Sequence, residues 1–280
     1  MVTSLRDRLV AHERPQLGTM DSRATPGFDG DKAAGKAAKR ALAPDLAHLQ
    51  QQLYAEGTTG GERSVLLILQ GMDTSGKGGV IKKVVGLVNP LGVRVATFSA
   101  PTEEELAHDF LWRVERHLPA AGHLGVFDRS HYEDVLIGKV RQLADATEIE
   151  RRYGAINDFE QAYVDGGGTV LKCLLHITPD DQADRLAARL EDPTKHWKFD
   201  PTDIDERALW PQYRDAYETM VERCSTDAAP WFVVPSGRKW YRNWAVATLL
   251  HETLSSLSPH WPRATFDVKA ERARLLASPY

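Results

Sequence analysis

An α/β fold built on a parallel sheet with helices on both faces is predicted by two features of this 280-residue chain. Short apolar runs alternate with longer helical patterns from about residue 61 onward, and a glycine-rich turn joins the first run to the first following helix. Parallel strands need crossover connections, and those connections lay helices over both faces of the sheet.

The run Ser64–Gln70 reads as a strand buried on both faces, because its apolar character is continuous rather than alternating. Gly71–Gly79 is the glycine-rich turn, and a helix follows near Lys77–Val88. Val93–Phe98 is the second strand, and Thr102–Leu118 a helix opened by the capping pair Thr102 and Glu105. Leu124–Phe127 is the third strand, with helices from about Glu133 to Asp165. Gly166–Gly168 breaks the chain before a fourth strand at Thr169–Ile177, and Pro179 sits in the first turn of a helix ending at Glu191. After a loop at Asp192–Thr202 come a long helix from about Asp203 to Cys224, a fifth strand at Trp231–Val234 and a helix at Lys239–Leu257. Ahead of all this, residues 1–60 read as an extension ending in a helix marked by Leu42, Leu46, Leu49 and Leu53. Residues 61–257 form the main domain, and 258–280 a tail.

A composition of 42% hydrophobic and 26% charged residues excludes a chain disordered throughout. The formal charge of −4 argues against nucleic acid as partner, since a surface built to hold a polyanion is basic overall, so any polyanion site has to be local. Cys173 and Cys224 have no CxxC spacing, and the longest aliphatic run, Val65–Leu69, is far short of the ~20 residues of a membrane span. With no signal-peptide core near Arg6, Asp7 and Arg8, a cytoplasmic location without membrane contact is expected.

Gly71, Gly76 and Lys77 hold the GxxxxGK spacing between a strand and a helix, the context in which this motif binds phosphate. Glycines let backbone N–H groups turn toward phosphate oxygens, the helix N-terminus adds its positive end, and Lys77 adds a point charge. Ser75, Gly78 and Gly79 complete the loop. A ligand-free turn is the bland alternative, and the strand–loop–helix setting disfavours it. Gly78 stands where a Mg²⁺-binding Ser or Thr usually follows the lysine. The metal then needs other oxygens, and Asp73 within the loop and Asp128 at the end of the third strand can supply them, unless Asp128 only caps a helix.

Three strings, Gly71–Gly79, Phe127–Val135 (FDRSHYEDV) and Asp192–Phe199 (DPTKHWKF), together resemble the polyphosphate kinase 2 family, and the similarity extends through Ala208–Trp210 and Pro235–Asn243. It covers about Thr25 to Leu257. The resemblance implies a P-loop kinase fold with a helical lid, here around residues 179–202, and reversible phosphoryl transfer between inorganic polyphosphate and a nucleoside mono- or diphosphate. It implies that Asp73 and Asp128 hold Mg²⁺, that Lys77 and Arg129 contact phosphate, and that Arg185 and Arg189 lie on the lid. Lys195 and Lys198 match the family's basic residues, and a homo-oligomer is expected.

The string His131–Val135 resembles the branch that accepts both mono- and diphosphates, whereas Asp128 resembles the ADP-using branch, the other commonly carrying Asn there. Read from the residues alone, Arg185 and Arg189 share one helix face, yet the stretch Asp180–Asp200 holds four Lys/Arg against six Asp/Glu, as an ordinary solvated helix does. His131 reads as filling a polar niche, Glu133 as favouring a helix N-terminus, and Trp210, Trp240 and Trp244 as core by their helical spacing. Lys82 and Lys83 are weak candidates for extending a phosphate track. Two other readings are an ATP-dependent nucleotide or small-molecule kinase, which Gly78 and the Asp128–Asp134 string disfavour, and a non-catalytic polyphosphate-binding protein, which the paired Asp73 and Asp128 disfavour.

Overall fold

A computed structural model describes residues 4–280, so the first three residues of the expected 1–60 extension lie outside the described residues. Five strands form one sheet: β1 (Ser64–Gln70), β2 (Val93–Thr97), β3 (Leu124–Asp128), β4 (Gly168–His176) and β5 (Trp231–Pro235). Every pairing is parallel, and the order is β2-β3-β1-β4-β5. Because β1 lies between β3 and β4, the segments leaving these three strands emerge side by side at one edge. All seven residues of β1 are buried. Val65, Leu67 and Leu69 join one core cluster, and Leu66 and Ile68 the other, following the two-residue period of a strand.

The first cluster is closed by α1 (Leu5–Leu9), α2 (Lys32–Thr58) and α3 (Lys77–Lys83) together with a late helix at Lys239–Leu257. Leu46 and Leu53 of α2 are fully buried, so this helix belongs to the same core as the sheet. The chain before α2 is also tied down: the backbone N–H of Ala11 donates to the Trp231 carbonyl at 2.9 Å, and Val10 bridges Phe232 on β5.

The helix expected over Thr102–Leu118 is instead two single turns, α4 (Glu103–Leu106) and α5 (Trp112–Glu115). The Thr102–Glu105 capping box forms, but Asp109 then accepts the Leu111 N–H on its side chain at 3.1 Å, a local bond that competes with helix continuation. α6 (Glu133–Val140) and α7 (Ala146–Asp165) follow β3, and α8 (Pro179–Leu190) follows β4. The expected loop at 192–202 contains a 3₁₀ segment at Pro193–Lys198.

The helix expected over Asp203–Cys224 is split into α9 (Thr202–Glu206), a 3₁₀ turn and α10 (Trp210–Cys224). Pro211 has no N–H to donate and its ring opposes the carbonyl one turn back, so it is tolerated only in a first turn. α11 (Lys239–Leu257) and α12 (Val268–Leu276) complete the chain. No helix among the described residues is long and apolar enough to cross a membrane. Cys173 and Cys224 are both buried and free.

The second cluster encloses a polar knot. Lys172 on β4 is fully buried and donates from Nζ to Glu160 Oε2 at 2.5 Å, to the Tyr132 hydroxyl at 2.8 Å and to the Cys224 carbonyl at 2.7 Å. Glu160 Oε1 accepts from the Tyr132 hydroxyl at 2.8 Å and lies 3.3 Å from His131 Nε2, the polar niche expected for that histidine. Burial pushes the Glu160 carboxyl up, but Lys172 and His131 outweigh it and hold the group below its ordinary value. A carboxyl depressed in the folded state contributes stability above its unfolded pKa of about 4.3 and loses it as pH falls through the folded value. Glu160→Ala leaves the Lys172 ammonium buried without its anion and should cost about 3–5 kcal/mol in urea unfolding at pH 7. Adding Lys172→Met should recover most of that loss, since an apolar pair carries no stranded charge; a double variant as unstable as the single one would show that the charge is not the cause.

Candidate active site

At the end of β1 the chain has to turn back into α3 within a few residues, and three of them take left-handed backbone: Gly71 (φ 147°), Thr74 (φ 66°) and Gly76 (φ 108°). A Cβ at Gly71 would come within 2.6 Å of the Leu175 carbonyl oxygen, so glycine is required for packing as well as for turning. Lys77 begins α3 and is buried, its Nζ donating to the Gly71 carbonyl at 2.8 Å. The lysine thereby folds back across its own loop. Burial draws its pKa down, with Asp73 opposing.

The register opposes Asp128 of β3 to Leu69 of β1, bringing the third strand's end beside the loop. Arg129 follows in left-handed backbone (φ 64°), a conformation that costs a non-glycine residue about 1–3 kcal/mol and is held here by its N–H donating to the Leu69 carbonyl at 3.1 Å. Its guanidinium donates to Asp73 Oδ1 at 2.8 Å. Burial pushes the Asp73 carboxyl up, yet Lys77 and Arg129 more than offset this and hold it below the usual carboxylate range.

Two cavities meet at this pair. A groove of about 630 Å³ is lined by Asp73, Thr74, Gly76, Lys77, Gly78 and Gly79 of the loop, by Asp128 and Arg129, by Arg185 and Arg189 of α8, and by Lys195 and Lys198 beyond it. Lys82, Lys239 and Arg242 extend its basic lining. A second cavity of about 290 Å³ is lined by Gly71, Asp73 and Arg129, by Glu133, Asp200, Asp203 and Glu206, and by the rings of Trp210, Tyr213 and Tyr217. Glu133 accepts from Gln70 Nε2 at 3.0 Å while standing at the α6 N-terminus. Burial, then repulsion from Asp73, raises the Asp203 carboxyl above its ordinary value.

Most of the residues singled out in the sequence thus converge on one groove, but not all. Ser75 is fully buried and outside both cavity linings, and Gly71 lines only the second cavity. Arg185 reaches the loop rather than standing free: Nη1 donates to the Thr74 and Ser75 carbonyls at 2.8 and 3.1 Å, and Nη2 to the Ser236 and Gly237 carbonyls at 2.5 and 3.2 Å. Arg189 donates to the Lys198 carbonyl at 2.9 Å and pairs with Asp203 at 3.3 Å, so it ties α8 to the segment after it. Lys195 pairs with Asp192 at 2.6 Å, and Lys198 Nζ lies 4.8 Å from the Trp197 ring centre.

Trp244 is buried as expected and Trp240 packs at the core edge, whereas Trp210 lines a cavity because the break before α10 turns the first residue of that helix toward the site. Lys239 and Arg242 fall within the Pro235–Asn243 stretch of the family resemblance but had no role expected of them; they lie three apart on the first turn of α11, shortly after the fifth strand.

Asp73 and Asp128 line the same groove and offer the hard oxygens that Mg²⁺ prefers, so the donor set fits a divalent cation completed by phosphate oxygens and water. Among the described residues no cluster of three or more His, Cys, Asp or Glu is arranged to hold a metal by itself.

Residues 29–260 match the family model described as polyphosphate kinase 2, and the chain belongs to that family. It is 46% identical over 256 residues to an AMP/ADP-polyphosphate phosphotransferase of Meiothermus ruber, covering 91% of this chain and 94% of that one. An ADP-polyphosphate phosphotransferase of Rhodopseudomonas palustris is 37% identical, with coverage of 96% and 94%. A crystal structure of polyphosphate kinase 2 from Arthrobacter aurescens TC1 superposes with a TM-score of 0.96 at 51% identity, covering 99% of this chain and 98% of that chain.

Arg185→Met removes four donor contacts to two backbone segments and should loosen both. Native-state hydrogen exchange should speed up across residues 73–79 and 236–238, about tenfold for each 1.4 kcal/mol of lost local stability, with little change in the strands. Unchanged exchange in those two segments would mean that the loop holds its shape without the arginine.

Proposed function

We propose that this chain transfers phosphoryl groups between inorganic polyphosphate and a nucleotide, with the polymer in the basic groove and the nucleotide in the acidic, aromatic cavity. One observation carries the reading: on a chain of net charge −4, nine Lys and Arg side chains line the groove against Asp73 and Asp128 alone. Such a surplus suits a long polyanion. The neighbouring cavity, with four carboxylates besides Asp73 and three aromatic rings, suits a nucleoside, whose base stacks on rings and whose ribose hydroxyls donate to carboxylates. Asp73 and Arg129 border both spaces, so the transfer point lies there. The names of the relatives, AMP/ADP- and ADP-polyphosphate phosphotransferase, agree with the reaction.

In the forward direction a terminal phosphate oxygen of the nucleotide attacks the end phosphorus of the polymer. One P–O–P bond breaks as another forms, and the polymer leaves one unit shorter. The attacking oxygen is already anionic, so the site needs no strong base and works by positioning and charge neutralisation. Lys77 and Arg129 offset charge on the passing group, and the loop's N–H groups orient it. Mg²⁺ held by Asp73 and Asp128 supplies further charge neutralisation when bound.

Nucleotide turnover with polyphosphate as the only donor tests the reading, and ATP as the preferred donor would overturn it. Lys77→Met should lower kcat by about 100-fold or more with the fold retained. ADP should be the better acceptor, because AMP has to sit one phosphate deeper and bring its dianion toward the Asp128 carboxylate. Asp128→Asn should therefore raise the AMP-to-ADP ratio of kcat/KM even as total activity falls. Equal turnover of AMP and ADP by the wild-type chain would remove that role from Asp128.

A further inference from the structure

Arg242, on the first turn of α11, is only 4% exposed and yet lines the groove. Its partners are neutral: Nη1 donates to the Ser75 carbonyl at 3.0 Å, while Nε and Nη2 donate to Asn243 Oδ1 at 3.2 and 2.9 Å. Three of the five N–H donors of a guanidinium are thereby used, leaving one on each Nη atom. Among the described residues no carboxylate pairs with it; burial, then the neighbouring Arg185, draws the pKa down to about 10. The same two arginines, after burial, depress Lys239 beside them. A Cβ at Gly76 would overlap the guanidinium and one at Gly79 would come within 2.7 Å of Nη2, so these two glycines admit the arginine to the loop's surface.

Burying a cation without an anion is costly, and a fold that does so leaves the counter-charge to be supplied from outside. We propose that Arg242 contacts a phosphate of the polymer directly beside the loop glycines, and that bound polyphosphate supplies the counter-charge the fold omits. The proposal rests on polyphosphate occupying the basic groove. It adds a phosphate-binding residue from α11 and explains why the loop is glycine at both Gly76 and Gly79.

Thermal unfolding with and without long-chain polyphosphate, in the absence of nucleotide, tests it on wild type, Arg242→Met and Arg242→Lys, alongside separate KM values for polyphosphate and ADP. Wild type should gain Tm on adding the polymer. Arg242→Met should be at least as stable as wild type without ligand, because the unpaired charge is gone and Arg185 still serves the Ser75 carbonyl. Its polyphosphate-dependent gain should shrink, and its KM for polyphosphate should rise about tenfold or more with that for ADP unchanged. Arg242→Lys, which keeps the charge but not the fork, should fall between the two. A wild-type polyphosphate response and KM in either variant, or equal rises in both KM values, would overturn the proposal. A wild-type chain that gains no Tm from polyphosphate would instead overturn the assignment of the groove, and the role of Arg242 with it.

Discussion

A loop that turns its backbone N–H groups inward around a phosphate turns its carbonyls outward, and inside a folded protein those carbonyls need donors. Here the Thr74 and Ser75 carbonyls receive Arg185 from α8, and the Ser75 carbonyl receives Arg242 from α11. Arg185 also holds the Ser236 and Gly237 carbonyls, so one side chain links the loop after β1 to the turn after β5. α8, α11 and the loop are thus bound into one unit by these donors, and the site's shape depends on that unit. The arrangement has an electrostatic consequence, since donors of this strength bring positive charge with them.

That charge is only partly neutralised locally: Arg189 pairs with Asp203 and Lys195 with Asp192, whereas Arg242 has only neutral partners. The groove gathers cations from the loop, α3, α8, α11 and the segment after α8, while the cavity on the other side of Asp73 gathers carboxylates from α6 and from residues 200–206. The Asp73–Arg129 pair stands at the boundary, each partner about a third exposed, 35% and 34%. The two sides of the site thus have opposite charge character within one domain. Away from the site the core handles charge differently: the Lys172–Glu160 pair is closed off with its own hydroxyl and carbonyl partners, so it is balanced internally where the groove is not.

The order of elements, the turn after β1 and the placing of Asp73 and Asp128 beside it were legible in the sequence because each rests on local chemistry. Continuous apolar runs mark strands buried on both faces, and glycine spacing marks a turn that only glycine can make. Failures came where a short-range competitor acts inside a periodic pattern. Asp109 diverts the chain between α4 and α5, and Pro211 forces a new start at α10, which in turn moves Trp210 from the expected core to a cavity wall.

By itself the sequence determined a parallel α/β sheet, a phosphate loop and the family to which the chain is similar, since these follow from periodicity and from motifs whose spacing is set by backbone geometry. Tertiary structure alone decided which cations face the groove and which serve the backbone. Arg185 and Arg189 look equivalent one turn apart on a helix, yet one grips the loop and the other ties α8 to Asp203. Arg242 lay within the Pro235–Asn243 resemblance without a role of its own, because the Ser75 carbonyl it meets is 167 positions away, and the lack, among the described residues, of a carboxylate partner for a buried arginine is a property of packing that no local pattern encodes.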